Sequence, residues 1–238
     1  MIARLPPLAR GFGILGLFAE LLSLAAMRAF PQPAPAPDPR LSGVTAVVVP
    51  GLFMTDWSTR HVRKFLSDCG CVCVKSGLNL NIGPTRSALA ALETTLTKAI
   101  QAGGPIVLIG HSLGGTMLRA LAERHAGKIL GLVTTSAPIR VPVETPLAPA
   151  IWLLSLGYSH KRLEPIRHKA ETALAIPIVA IHADRDRIVD KASCWQDEDA
   201  RCTNIIVRAT HMTVCSTPET HREMAKAIRS WLEMSQLV

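Results

Sequence analysis

Charge is scarce in this chain. Only 18% of its 238 residues are Asp, Glu, Lys or Arg, while 48% are apolar. That balance excludes an intrinsically disordered chain, and the length allows one domain with a sizeable core. No zinc-finger, basic-zipper or aromatic-and-basic RNA signature accompanies the 26 Lys and Arg, set against 18 Asp and Glu. Nucleic acid is therefore not expected as a partner. The densest basic groups, Arg60–Lys64 and Lys161–Lys169, read as a solvated surface with a positive bias. Also missing is any CxxC pair or His-containing zinc spacing, so no metal site is expected.

The six cysteines form no disulfide framework. Cys69, Cys71 and Cys73 alternate in "CGCVCVKSG", a period-2 run that reads as a strand with a buried face. Cys194 and Cys202 flank the polar "WQDEDAR" and could close a small loop in an exported domain, with free thiols as the alternative.

What is present begins with a hydrophobic segment, residues 1–30, followed by the Pro/Ala-rich "PQPAPAPDPR", residues 31–40, a spacer expected to be extended. Residues 8–30 are long enough to cross a bilayer. Glu20 interrupts them, and a carboxylate at mid-bilayer costs roughly 2.5–3.5 kcal/mol on insertion scales. The one Ala-x-Ala, Ala34-Pro-Ala36, lies too far past the apolar run for an ordinary signal-peptide site. The segment therefore reads as an uncleaved anchor or an interfacial helix. On that reading the protein is expected in the cell envelope, membrane-associated through residues 8–30, with its body outside the cytoplasm. The alternative is a helix docked on the body of a soluble, cytoplasmic protein.

From residue 41 to 238, β-branched runs alternate with amphipathic segments. "TAVVVP", "CVCVKS", "PIVLIG", "ILGLVTTSAP", "PIVAIHA" and "NIIVRAT" read as strands, and "RSALAALETTLTKAIQAG" and "PETHREMAKAIRSWLEM" as helices. The alternation predicts an α/β domain: an open, mostly parallel sheet of about six strands with helices on both faces. Sites in such sheets lie outside the carboxyl ends of the strands. An insertion, residues 139–175, breaks the rhythm and reads as a small cap or lid.

One stretch has that placement. "PIVLIGHSLGGTMLRAL" carries Gly110-His111-Ser112-Leu113-Gly114, a G-x-S-x-G between a strand and a helix, the context of a nucleophile elbow. A serine hydroxyl needs a base, and the base an orienting acid. His211, just past the last strand and before the last helix, is the expected base. Asp184, Asp186 and Asp190 all follow the strand "PIVAIHA", and spacing does not choose among them. Asp190 is expected to start the next helix as an N-cap.

"VVVPGLFMTDWSTRHVRKFLSDCG", "GLNLNIGPT", "GHSLGG", "LVTTSAP", "DRIV" and "ATHM" together resemble the α/β-hydrolase superfamily, especially compact bacterial lipase/esterase-like members. The resemblance covers residues 41–238 and implies that the acid sits in an Asp-x-[IV]-[VP] turn, which points to Asp186. His211 matches the base. The oxyanion hole is expected from the backbone N–H of Leu113 and, after the first strand, of Leu52, with Phe53 next in line. The family's histidine before that glycine is here Pro50. The implied function is a carboxylic-ester hydrolase, an esterase or lipase, that needs no cofactor and takes a small-molecule or lipid ester. Acyl transfer, thioester or amide cleavage would use the same residues, and a non-catalytic binding protein on this fold is the remaining alternative.

Overall fold

The computed structural model describes residues 14–140, 145, 173–197 and 201–236. β1 (Thr45–Val49), β2 (Val72–Lys75), β3 (Ile106–His111), β4 (Gly131–Thr135), β5 (Ile178–Ala183) and β6 (Cys202–Val207) form one six-stranded sheet in the order β2-β1-β3-β4-β5-β6. Every pairing is parallel, where a mostly parallel sheet was expected. Parallel strands are covered on both faces, so each can be apolar throughout. In β1, Ala46 and Val48 join the cluster beneath α2 (Arg60–Asp68) and the final helix α6 (Pro218–Ser235). Val47 and Val49 join the opposite cluster, beneath α3 (Arg86–Ala102) and α4 (Leu113–Ala122). Alternation with period 2 thus sends one strand's side chains into both layers.

Helix ends follow local chemistry. Thr85 caps α3 by accepting the Ala88 N–H at 3.0 Å, and Thr217 caps α6, which opens on Pro218. α6 crosses the sheet at Gly131, where an added Cβ would stand 2.3 Å from Cε3 of Trp231. The strand expected over the alternating cysteines is shorter than the pattern. Cys69 is the C-cap of α2 and β2 starts only at Val72, although Cys69 and Cys71 are buried. Cys194 and Cys202 are not joined in a disulfide, so the small loop is not closed.

The N-terminal helix differs most from expectation. α1 runs from Ile14 to Ala29, 16 residues, a length of about 24 Å against a hydrocarbon core of about 30 Å. Among the described residues no helix is long and apolar enough to cross a membrane, which overturns the envelope location inferred from residues 8–30. The physical reason is Glu20. Its side chain is fully buried against the body and bonded to two of its loops. The spacer passes along α6, where Asp38 pairs with Arg229 at 2.9 Å. Of the expected cap, residues 141–144 and 146–172 lie outside the described residues.

Candidate active site

The strand order reverses between β1 and β3. A crevice therefore opens at their carboxyl ends, and Ser112 lies there, on the step from β3 into α4. Its backbone is left-handed, at φ 49° and ψ −129°, an uncommon conformation for a residue with a side chain. The turn holds because the neighbouring backbone is crowded. An added Cβ would stand 2.3 Å from Gly115 Cα at Gly110, and 2.4 Å from the Pro50 carbonyl oxygen at Gly114. The Ser112 N–H donates to the Thr135 carbonyl at 2.8 Å, and the Ser112 carbonyl accepts from Gly115 N–H at 2.9 Å.

Asp186 and His211 meet at the ends of β5 and β6. Nδ1 of His211 lies 2.7 Å from Oδ2 of Asp186, with the two side chains 3% and 6% exposed, so the pair is shielded from water. The other carboxylate oxygen of Asp186 accepts the Ile188 and Val189 N–H groups, both at 2.9 Å. Burial alone would raise the Asp186 pKa. The adjacent imidazole's charge and hydrogen bond, with the two backbone donors, outweigh it and hold the carboxyl below its ordinary value. Nδ1–H donation to the carboxylate leaves Nε2 as the free acceptor of the ring. No hydrogen bond joins Ser112 to His211 among the described residues.

The other aspartates and histidines stand apart from this pair. Asp184 accepts the Ala209 N–H at 2.9 Å and faces Arg185. Asp190 stands at the N-cap of the short helix α5 (Lys191–Cys194), but its side chain makes no cap bond there. His182 donates to Asn204 and stacks on Trp195, His125 pairs with Glu93, and His221 stacks on Phe65.

In the loop after β1, Phe53 N–H donates to the Asn81 carbonyl at 2.7 Å and is spent. The Leu52 N–H and the Leu113 N–H, at the start of α4, have no acceptor among the described residues. Asn81 also donates from its side chain to the Pro50 carbonyl at 2.8 Å, so this residue, unmarked in the sequence reading, braces the loop. A second unmarked residue is His111, whose ring lies 4.9 Å from that of His211. Burial and the neighbouring His211 push its pKa down to about 3, so it stays neutral. A cavity of about 250 Å³ opens beside the site, walled by Leu24, Met27, Phe53, Met54, Trp57 and Met212. Trp57 is 56% exposed, with the Arg60 guanidinium 3.6 Å from the centre of its ring. No group of His, Cys, Asp or Glu suited to a metal ion occurs among the described residues.

The family model for the alpha/beta hydrolase fold matches residues 85–162. Among solved structures, the chain is similar to the metagenome-derived lipolytic enzymes LipS and LipT at 13% identity, over 79% of this chain and 94% of that one, with a TM-score of 0.58. A lipase-esterase related protein from Clostridium acetobutylicum is 14% identical over 80% of this chain and 96% of that one, with a TM-score of 0.56. A deformylase acting on N-formylmaleamic acid, from Pseudomonas putida, is 16% identical over 80% and 93%, with a TM-score of 0.54. No curated protein matches the chain by sequence. These likenesses show that the chain has the α/β-hydrolase fold.

Proposed function

We propose that the protein is a serine hydrolase that cleaves carboxylic esters, with Ser112 as nucleophile, His211 as base and Asp186 as orienting acid. Oγ of Ser112 attacks the ester carbonyl while Nε2 of His211 takes its proton. Asp186 holds the tautomer that leaves Nε2 free and stabilises the imidazolium that forms. The Leu52 and Leu113 N–H groups receive the oxyanion. As the intermediate collapses, the C–O bond to the alcohol breaks and the imidazolium returns its proton to the departing oxygen. Water, deprotonated by the same imidazole, then releases the acid and restores the serine.

One observation carries the reading: a serine held left-handed at a strand–helix turn, on the same sheet edge as a buried Asp–His pair 2.7 Å apart. Esters are favoured over amides because lipolytic enzymes are among the fold's neighbours. The deformylase among them supports C–N cleavage by the same residues as the second reading. The full chain is expected to be labelled by a fluorophosphonate probe and to hydrolyse p-nitrophenyl acetate, with both activities abolished in Ser112→Ala. A folded protein that neither reacts with the probe nor turns over any ester, thioester or amide would refute the assignment.

A further inference from the structure

We propose that Glu20, on the N-terminal helix, is a positioning residue for the acid–base pair, tying the Asp186 turn to the His211 turn. The inference rests on the hydrolase reading for its effect on rate. The carboxylate bridges two loops that Asp184 and Arg185 already join at Ala209, and it adds a tie directly beside the acid and the base. Its Oε1 accepts the Arg187 N–H at 2.8 Å and the His211 N–H at 3.2 Å. Its Oε2 accepts the Met212 N–H at 3.0 Å.

The three donors are backbone groups of irregular turns, His211 buried and Arg187 and Met212 half-buried, and none has a partner in a regular helix or strand. In the Asp186 turn, three successive N–H groups are divided between two carboxylates. Arg187 donates to Glu20, and Ile188 and Val189 donate to Asp186. The Glu20 bond therefore sets where the turn begins, one residue after the acid. On the other side it grips the backbone of the base itself.

Glu20 is fully buried, and it has no ion pair among the described residues. A carboxylate in that position is costly unless hydrogen bonds compensate it, and these three do so. The surrounding helix is fitted to the same place. At Gly16 α1 passes close to Arg187, whose Cβ would lie in ordinary contact, 3.5 Å, with an added Cβ. Leu17 packs on the cluster of Ile188, Val189 and Cys194. Leu24 and Met27, further along α1, wall the cavity beside the site. Substrate contact and loop positioning thus sit on different residues of one helix and separate in kinetics.

The test uses the full chain and compares wild type, Glu20→Ala, Glu20→Gln, His211→Ala and the double variant Glu20→Ala/His211→Ala. Readouts are Tm, kcat and KM for p-nitrophenyl acetate, the rate of fluorophosphonate labelling, and the downfield proton resonance of the His211–Asp186 hydrogen bond, assigned by its loss in His211→Ala. Misplacing the pair should lower kcat and the labelling rate in folded Glu20→Ala about ten- to a hundredfold. KM should hold within about threefold, and the downfield resonance should weaken or vanish. Glu20→Gln, which keeps one oxygen acceptor for Arg187 and His211, should recover most of the loss. Glu20→Ala should cost nothing further once His211 is gone.

A folded Glu20→Ala with wild-type kcat and an intact resonance overturns the proposal. So does a loss confined to KM, or one equally large without His211. Should Glu20→Ala fail to fold, Glu20→Met, which keeps the volume but supplies no oxygen acceptor, carries the same readouts, and wild-type kcat with an intact resonance in that folded variant reduces Glu20 to a stability residue. Failure of the hydrolase reading looks different: wild type neither labels nor turns over, while the resonance still answers to Glu20.

Discussion

Asp184 and Asp186 stand two residues apart after the same strand and do different work. Asp186 faces His211 from a turn that wraps its carboxylate in backbone donors, whereas Asp184 closes the gap to Ala209. Asp186→Asn should therefore fold normally and lose about four orders of magnitude in kcat, because the amide stabilises the wrong imidazole tautomer. Asp184→Ala should behave in the opposite way. It leaves the Ala209 N–H unpaired, costing about 1–3 kcal/mol of stability, with kcat within about threefold of wild type. Measuring kcat and the urea midpoint of both variants checks the contrast. Spacing along the chain cannot separate these aspartates, since both clear the strand. The choice depends on where the turn after β6 places the imidazole.

At the scale of elements, helix and sheet approach as closely as their glycines allow. Gly131 has no side chain because the Trp231 indole occupies that space from α6, and Trp231 is 5% exposed. Gly131→Ala should destabilise the protein by about 1–3 kcal/mol through overpacking. Adding Trp231→Leu should give back part of that loss, whereas the two changes would simply add if they acted independently. Urea midpoints of the two single variants and the double variant decide between these outcomes. The elbow obeys the same rule, and its glycines were legible in the sequence because G-x-S-x-G between strand and helix is a local pattern. The Asn81 brace was not legible, because nothing in "GLNLNIGPT" says which of its two asparagines reaches the Pro50 carbonyl.

The whole molecule should be acid-sensitive in a defined window. Burial lowers the pKa of His111 to about 3, that of His221 to about 4, and that of His182 also. Each is thus neutral in the folded protein over a range where the unfolded chain, at about 6.5, takes up a proton. The unfolded state binds more protons there, so stability falls as pH drops from about 6.5 toward these folded values. Asp186 extends the trend. Its lowered pKa contributes stability above the unfolded carboxyl value, and this is lost as pH falls through the folded one. Tm measured from pH 7.5 to pH 4 should decline. His221→Gln, which can still donate to the Cys215 carbonyl, should flatten the curve. A wild-type curve flat across that range would contradict the argument.

The order of strands and helices, the serine at the turn into α4 and a histidine after the last strand follow from the sequence by itself. Each is written in a local period, a glycine-bounded turn or a position along one stretch of chain. Only the tertiary structure decided that Asp186 meets His211, that Cys194 and Cys202 are not joined, and that the N-terminal helix lies against the body. These outcomes hang on contacts between distant residues, as when Glu20 reaches backbone 167 and 191 positions away. Read locally, a glutamate in an apolar run is only a flaw in a membrane span. Folded, its charge is compensated by three N–H groups that no neighbouring stretch of chain supplies.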